Sequence, residues 1–288
     1  MIYDIAIIGR GPAGISAALY AARGNRNCVI IAKDGGALEK AGAIENYYGL
    51  PTPLSGPELA EIGRRQALAL RVEIIDAEVT GLDWAEHGFT LQCGADELQA
   101  RCVIMASGAP LRKPKIDGLI ELENRGVSYC AICDGFFHRG KAVAVLGEGE
   151  YALHEAQVLL PIAGKVYLLG NGAEPPQLQH DKVERISEAV VQLLGEERLQ
   201  AVRLADGREI ELSGLFVASG VAGAADLARK AGAMLDADGR LVLDADGMTS
   251  EPGLFAAGDC CGGMRQVSLA VADGARAGMA ALRYLREK

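Results

Sequence analysis

Two stretches of this chain repeat one pattern, and that pattern restricts the fold more than any other feature. Tyr3–Gly9 is an apolar run followed by a glycine-rich loop, an alanine-rich segment at Ile15–Arg23 and a second apolar run at Cys28–Ala32. The block recurs as Lys141–Leu146, a glycine-rich loop over Gly147–Ala152, a segment to about Leu160, and Lys165–Leu169. Short apolar runs bounded by glycine read as strands, and the alanine-rich segments read as helices. A strand, crossover helix and strand place the two strands parallel in a sheet buried on both faces. The chain is therefore expected to be α/β, with a duplicated nucleotide-binding type of fold.

Composition agrees. Of 288 residues 50% are hydrophobic but only 5% aromatic, which suits close-packed Ala, Val, Ile and Leu layers. Between the blocks, Val72–Asp83 and His87–Val103 alternate apolar and polar residues and predict antiparallel strands. Residues 112–117, containing Pro114, form an expected hinge, and the Asp- and Gly-rich stretch 238–246 an expected second boundary. Gly253–Cys260 then reads as a strand and Gln266–Arg286 as a helix. If that helix rejoins the first block, the domains are 1–113 with 245–288, and an inserted 114–244.

A net charge of −9 without a long basic run argues against nucleic acid or a membrane surface as the main partner. No apolar run has the ~18 residues of a spanning helix. The first residues enter the strand pattern directly, without a basic leader, and a cytoplasmic protein is expected. Seven cysteines, an odd number, do not suggest a disulfide framework. Most should be small buried hydrophobes. The exception is Cys130-Ala131-Ile132-Cys133, beside the second block. Two intervening residues permit a small-ring disulfide and allow neighbours to stabilise a thiolate. Half of a zinc site is the competing reading, but zinc needs four ligands and no second C-x-x-C or H-x₃₋₅-H is present.

Gly9-Arg10-Gly11-Pro12-Ala13-Gly14 matches G-x-G-x-x-G between strand and helix. These glycines allow a tight turn and close approach of backbone N–H groups to a pyrophosphate. The acid that would hold a ribose is imperfectly placed: the second strand ends at Lys33, with Asp34 next.

In order along the chain come GRGPAG, IENYYGLP (44–51), MASGAPLRKP (105–114), YCAICDGFF (129–137), GLFAAGDC (253–260) and Arg265-Gln266-Val267. This series resembles the low-molecular-weight thioredoxin reductases of bacteria over nearly the whole chain. The resemblance implies two Rossmann-like, three-layer FAD/NAD(P)-binding-type domains, the second inserted in the first, in a homodimer. It implies FAD on Gly9, Gly11, Pro12, Ala13 and Gly14, with Lys33, Asp34, Gly36, Asn46, Gly108, Asp259, Arg265, Gln266 and Val267 completing the site. Ala37 departs from the family's GGQL. It also implies that Cys133 exchanges electrons with the flavin, Cys130 attacks the partner disulfide, and Asp134 is the acid–base. The activity implied is reduction of a protein disulfide, in thioredoxin or a similar protein.

The second block departs from the family. Gly147, Gly149 and Ala152 keep G-x-G-x-x-A, but Glu148 and Glu150 add charge where a pyrophosphate would lie. Close carboxylate–phosphate repulsion amounts to several kcal/mol at an effective dielectric of ~20. The competing reading is that both point into solvent. Tyr151 replaces a small Ser or Thr. The HRRxxxR stretch that grips a 2′-phosphate is replaced by residues 170–176, GNGAEPP, without Arg or Lys. NADPH is therefore not expected. NADH stays open, since Asn171 or Glu174 offers a ribose acceptor, as does a second flavin. Flavoproteins of this type without pyridine-nucleotide motifs include users of reduced ferredoxin. An acidic donor would dock on basic residues, for which Arg112, Lys113, Lys115, Arg139 and Lys141, or Arg64, Arg65 and Arg71, are candidates against an ordinary solvated surface. Cys260–Cys261 reads as inert or as a second redox pair, and His138 as a surface residue or a thiolate-tuning one. A dithiol oxidase running in reverse, and a non-catalytic flavin redox sensor, are the alternative functions.

Overall fold

Strand β1 (Ile2–Ile8) is buried from Ile5 to Ile8 and lies at the centre of the first sheet. The structure, a computed structural model, describes residues 2–94, 96–108, 114–123, 125–129, 131–219, 223–237, 240–262 and 264–288, with Lys40, Ile132 and Cys133 described in backbone only. From β1 the chain passes through α1 (Pro12–Arg23) to β2 (Cys28–Ile31), parallel to β1 in the register Ile5 to Cys28. A small hairpin, β3 (Ala43–Ile44) and β4 (Leu54–Ser55), leads into α2 (Gly56–Ala69). Ser55 and Glu58 cap α2 reciprocally, each side chain bonding the other's backbone N–H.

Strands β5 (Glu73–Ile75), β6 (Val79–Ala85), β7 (Gly88–Cys93) and β8 (Asp96–Met105) complete this part of the sheet, in the order β5-β2-β1-β8-β7-β6. One expectation changes here. Val72–Asp83 is not one antiparallel strand: β5 runs parallel beside β2, and only β6 joins the meander. His87–Val103 forms the expected antiparallel strands, a hairpin that turns at Gly94, where φ is +63°. Strand β8 is long enough to serve two partners on one edge, β7 along its first half and Leu254–Ala256 along its second.

The chain divides into two compact units, 1–110 with 223–288, and 111–222. In the second unit β9 (Val127–Ser128) and α3 (Ala131–Asp134) precede β10 (Ala142–Leu146), α4 (Glu150–Leu159) and β11 (Lys165–Leu169). Then come β12 (Val183–Ile186), β13 (Val190–Leu194), β14 (Ala201–Leu204), β15 (Glu209–Glu211) and β16 (Gly214–Val217). The parallel sheet has the order β12-β11-β10-β16-β9, and β13-β14-β15 form a separate antiparallel sheet. Both glycine-loop blocks thus fold as parallel βαβ units, giving two Rossmann-like domains with the second inserted in the first.

The chain returns to the first unit earlier than the expected boundary near 244. Helix α5 (Ala224–Lys230) packs on β6, Trp84 Nε1 donates to the Ala231 carbonyl at 2.9 Å, and Lys230 Nζ to that of Thr80 at 3.4 Å. Strand β17 (Leu254–Ala256) and α6 (Val267–Glu287) follow. The strand expected over 253–260 is shorter because Gly258 takes φ +78° and the chain turns into a 3₁₀ segment at Gly258–Cys261.

Helix α6 lies directly against α1: a Cβ at Gly274 would overlap the carbonyl oxygen of Ala13. Ile5, Ile7 and Ile104 share one core with Ala17, Ala277 and Ala281 of these helices. Gly274→Ala should therefore force the helices apart and destabilise the first unit by about 1–3 kcal/mol, read as a lower urea midpoint. Among the described residues, no helix is long and apolar enough to cross a membrane.

Candidate active site

In the first unit, the expected cofactor residues gather where adjacent parallel strands end. Gly9 follows β1, Lys33 and Asp34 follow β2, Gly108 follows β8, and Asp259 follows β17. Neighbouring strand ends are pinned together, with Ala106 N bonded to the Ile8 carbonyl at 2.8 Å and Ala257 N to that of Met105 at 2.9 Å. Crevices at the carboxyl ends of such strands are where this fold takes its ligands. Gly9 has φ +110°, and a Cβ there would strike the Ala106 carbonyl; a Cβ on Gly14 would overlap the Gly9 carbonyl. Gly11 differs, since nothing lies within 4 Å of where its Cβ would be. That open space adjoins the first turn of α1, which has neither a side-chain cap nor an acid. Gly36 (φ +68°) and Gly108 (φ +77°) likewise border open space. A glycine-walled cradle beside uncapped helical N–H groups fits a dinucleotide pyrophosphate.

Side chains complete the cradle. Asn46 Nδ2 donates to Gln266 Oε1 at 3.0 Å, joining two segments far apart in sequence. Val267 is the first residue of α6. Burial raises the carboxyl of Asp259 above its ordinary range, and Arg265 opposes that rise. Asp34 accepts from Gly36 N at 2.8 Å and shapes the turn, while Lys33 is ion-paired to Glu78 at 3.0 Å. Arg10 is ion-paired to Asp76. The residues present fit FAD.

In the second unit, Cys130 lies outside the described residues, and Cys133 is described only as part of the α3 backbone. Asp134 closes α3 and accepts a 2.6 Å hydrogen bond from Ser128 Oγ at the end of β9. Sequence reasoning missed Ser128; a contact across six residues between strand and helix has no periodic signature. Phe136 and Phe137 follow, 65% and 71% exposed, an adjacent pair of large apolar side chains open to solvent. His138 is half-buried at the edge of a groove. Its Nδ1 is 2.9 Å from Ser213 Oγ, its ring stands edge-on to Phe216, and burial, aided by Lys141, holds its imidazole below the ordinary pKa. A groove of about 1020 Å³ runs past Asp134, Phe137 and His138 and is flanked by Arg125, Lys141 and Arg198.

The other cysteines differ in burial. Cys28, Cys93 and Cys102 are buried, and burial pushes their thiols up to about 11, 11 and 12, where thiolate is negligible at neutral pH. Cys260 and Cys261 are half-buried with sulfurs 3.9 Å apart, and Cys260 Sγ donates to the carbonyls of Ala257 and Met105 at 3.2 and 3.3 Å. Among the described residues, no cluster of His, Cys, Asp and Glu is placed to hold a metal.

The pyridine-nucleotide-type loop of the second unit keeps its backbone for packing reasons: a Cβ at Gly147 would strike the Ala218 carbonyl. Glu148 and Glu150 are exposed. Residues 170–176 are bonded to the segments around β12 and β13. Asn171 Oδ1 accepts from Val190 N at 2.9 Å, and Glu174 accepts from Ser187 Oγ at 2.9 Å. Arg185 brings a guanidinium to this loop that the local sequence does not contain, because β12 runs in parallel register beside β11. It donates to the carbonyls of Pro175 and Pro176 at 2.6 and 3.0 Å.

A flavin-type cradle in one unit and a C-x-x-C segment with an adjoining acid in the other define a disulfide oxidoreductase. The pyridine nucleotide-disulphide oxidoreductase family profile matches residues 3–274, and the chain belongs to that family, in its low-molecular-weight thioredoxin reductase branch, as an FAD-dependent enzyme. Thioredoxin reductase of Aquifex aeolicus (strain VF5) is 33% identical, the match covering 100% of this chain and 94% of that one. That of Treponema pallidum (strain Nichols) is 36% identical over 98% and 97%. Among solved structures, the atypical thioredoxin reductase TRi from Desulfovibrio vulgaris Hildenborough has a TM-score of 0.93 at 35% identity, covering 99% of each chain. A ferredoxin-flavin thioredoxin reductase from Clostridium acetobutylicum has a TM-score of 0.76 at 30% identity, again covering 99% of each.

Proposed function

We propose that this enzyme reduces the disulfide of thioredoxin or a similar protein through Cys130 and Cys133, with reduced ferredoxin and not NADPH as its electron donor. The observation that carries the donor reading is the bonding of Arg185 to the 170–176 loop. Arg185 is spent on the Pro175 and Pro176 carbonyls and Asn171 Oδ1 on the Val190 amide, while Glu174, bonded to Ser187, stays exposed. A 2′-phosphate needs a guanidinium free for bidentate contact. The likeness to a ferredoxin-flavin thioredoxin reductase supports the same donor. For docking an acidic donor, Arg64 and Arg65 are weak candidates because both pair with Glu61. Arg71, Lys115, Arg139 and Lys141 are exposed, and Arg112 and Lys113 lie outside the described residues.

The unit of 1–110 with 223–288 takes the FAD, held by the glycine cradle, Asn46, Asp259 and the 265–267 segment. When bound, the flavin supplies the electron pair that a disulfide needs from a donor delivering single electrons. The thiolate of Cys130 attacks one sulfur of the partner disulfide, forming a mixed disulfide as the partner's S–S bond breaks. The departing partner thiolate takes a proton from Asp134, which Ser128 orients. The thiolate of Cys133 then attacks Cys130, releasing the second partner thiol and leaving the Cys130–Cys133 disulfide for re-reduction. The exposed Phe136–Phe137 pair and the groove past Asp134 support a protein as the substrate.

Exposed Tyr20, Ile62, Leu269 and Met279 on α1, α2 and α6 support a homodimer, and the free described cysteines suit a reducing cytoplasm. The test is steady-state reduction of thioredoxin with reduced ferredoxin as donor. Asp134→Asn should lower kcat by about 10²-fold or more, and Ser128→Ala by a smaller factor. Tight FAD without turnover would favour the redox-sensor alternative.

A further inference from the structure

Helix α4 opens at Glu150 directly after the Gly147-Glu148-Gly149 loop, yet two of its side chains are directed to the redox segment. Tyr151, 2% exposed, donates its hydroxyl to the Tyr129 carbonyl at 3.2 Å. Glu155 is 1% exposed, and its Oε2 accepts from the Ala131 amide at 2.7 Å. They lie four residues apart, hence on one face of the helix. Tyr129 and Ala131 are the residues immediately before and after Cys130. The backbone is therefore held on both sides of the outer cysteine by the helix that follows the pyridine-nucleotide-type loop. Burying a carboxyl is costly unless it is hydrogen-bonded, so the Glu155 contact is not an incidental surface pairing.

We propose that Tyr151 and Glu155 are positioning residues that clamp the dithiol segment onto α4 and thereby favour ring closure between Cys130 and Cys133. This rests on the Cys130–Cys133 reading above. Chain held on both sides of a reacting thiol loses less freedom when the disulfide forms, and pre-orientation of this kind raises the effective concentration of one thiol at the other. The same tyrosine ring occupies the first turn of α4, so the turn that would face a nucleotide phosphate is committed to the dithiol.

The test is the thiol–disulfide equilibrium of the purified holoprotein against a dithiothreitol redox buffer, read by alkylation and peptide mass of the Cys130–Cys133 segment. Removing the acceptor with Glu155→Ala should shift the equilibrium about tenfold toward the dithiol, about 30 mV for a two-electron couple. Tyr151→Phe, which removes only the hydroxyl, should shift it about threefold. Glu155→Gln keeps an acceptor oxygen and should stay within about twofold of wild type. An unmoved equilibrium in folded Glu155→Ala and Tyr151→Phe overturns the clamp, as does a Gln variant as impaired as the Ala variant. Should Glu155→Ala not fold, Tyr151→Phe decides alone by the same criterion. A wild-type protein that forms no Cys130–Cys133 disulfide overturns the reductase reading together with the clamp, whereas a wild-type disulfide with unmoved variants overturns the clamp only.

Discussion

Cys130→Ser and Cys133→Ser should each lower thioredoxin reduction by about 10³-fold or more, with FAD content and thermal stability near wild type. Serine has nearly the volume of cysteine, but its hydroxyl stays un-ionised near neutral pH and does not exchange with disulfides, and loss of a nucleophile acting within a unit removes most of the rate. The two variants should differ in what they trap. Cys133→Ser keeps the attacking thiol but has nothing to resolve the mixed disulfide, so a covalent adduct with an oxidised partner should accumulate on non-reducing gels. Cys130→Ser should form no such adduct. The reverse assignment would yield the adduct from the other variant. Cys28, Cys93 and Cys102, buried with raised pKa values, should tolerate serine with no comparable loss of rate.

The second large effect concerns nucleotide affinity. Calorimetric titration with NADPH should give a dissociation constant in the millimolar range or no measurable heat. Three features of the second unit act together. Glu148 and Glu150 flank the glycine loop, Tyr151 fills the first turn of α4, and Arg185 is bonded to the Pro175 and Pro176 carbonyls. Each charge-assisted phosphate contact is worth roughly 1.5–3 kcal/mol. Losing a two-contact clamp therefore weakens binding by about 10²–10⁴-fold. The electron route must then begin with a donor that reaches the flavin without this pocket.

Much of this was legible in the sequence because it rests on local patterns. The two βαβ blocks appear almost residue for residue: Tyr3–Gly9 against Ile2–Ile8, Lys165–Leu169 without change, and the last helix within one residue. Apolar runs ended by glycine have few other readings. What stayed hidden depends on partners distant in sequence. The alternation over 72–83 could not reveal that β5 turns back beside β2, a choice made by the sheet edge. The return to the first unit at residue 223 was invisible because α5 is short, and its anchors, Trp84 and Thr80, lie on β6. The cradle glycines were found from their spacing. Ser128, Arg185 and Glu155 were not, since each acts on a neighbour that only the folded chain supplies. The departures of the second block were visible as missing arginines, but Arg185 entering from β12 to bond that loop was not.

Anaerobic reduction of the purified yellow protein by three donors separates ferredoxin from the pyridine nucleotides as the electron source. Reduced ferredoxin should bleach the flavin absorbance within seconds at micromolar concentration, and NADPH and NADH at the same concentration should leave it unchanged over minutes. Rapid bleaching by micromolar NADPH would contradict the account of the second unit, and bleaching by none of the three would remove ferredoxin as the donor.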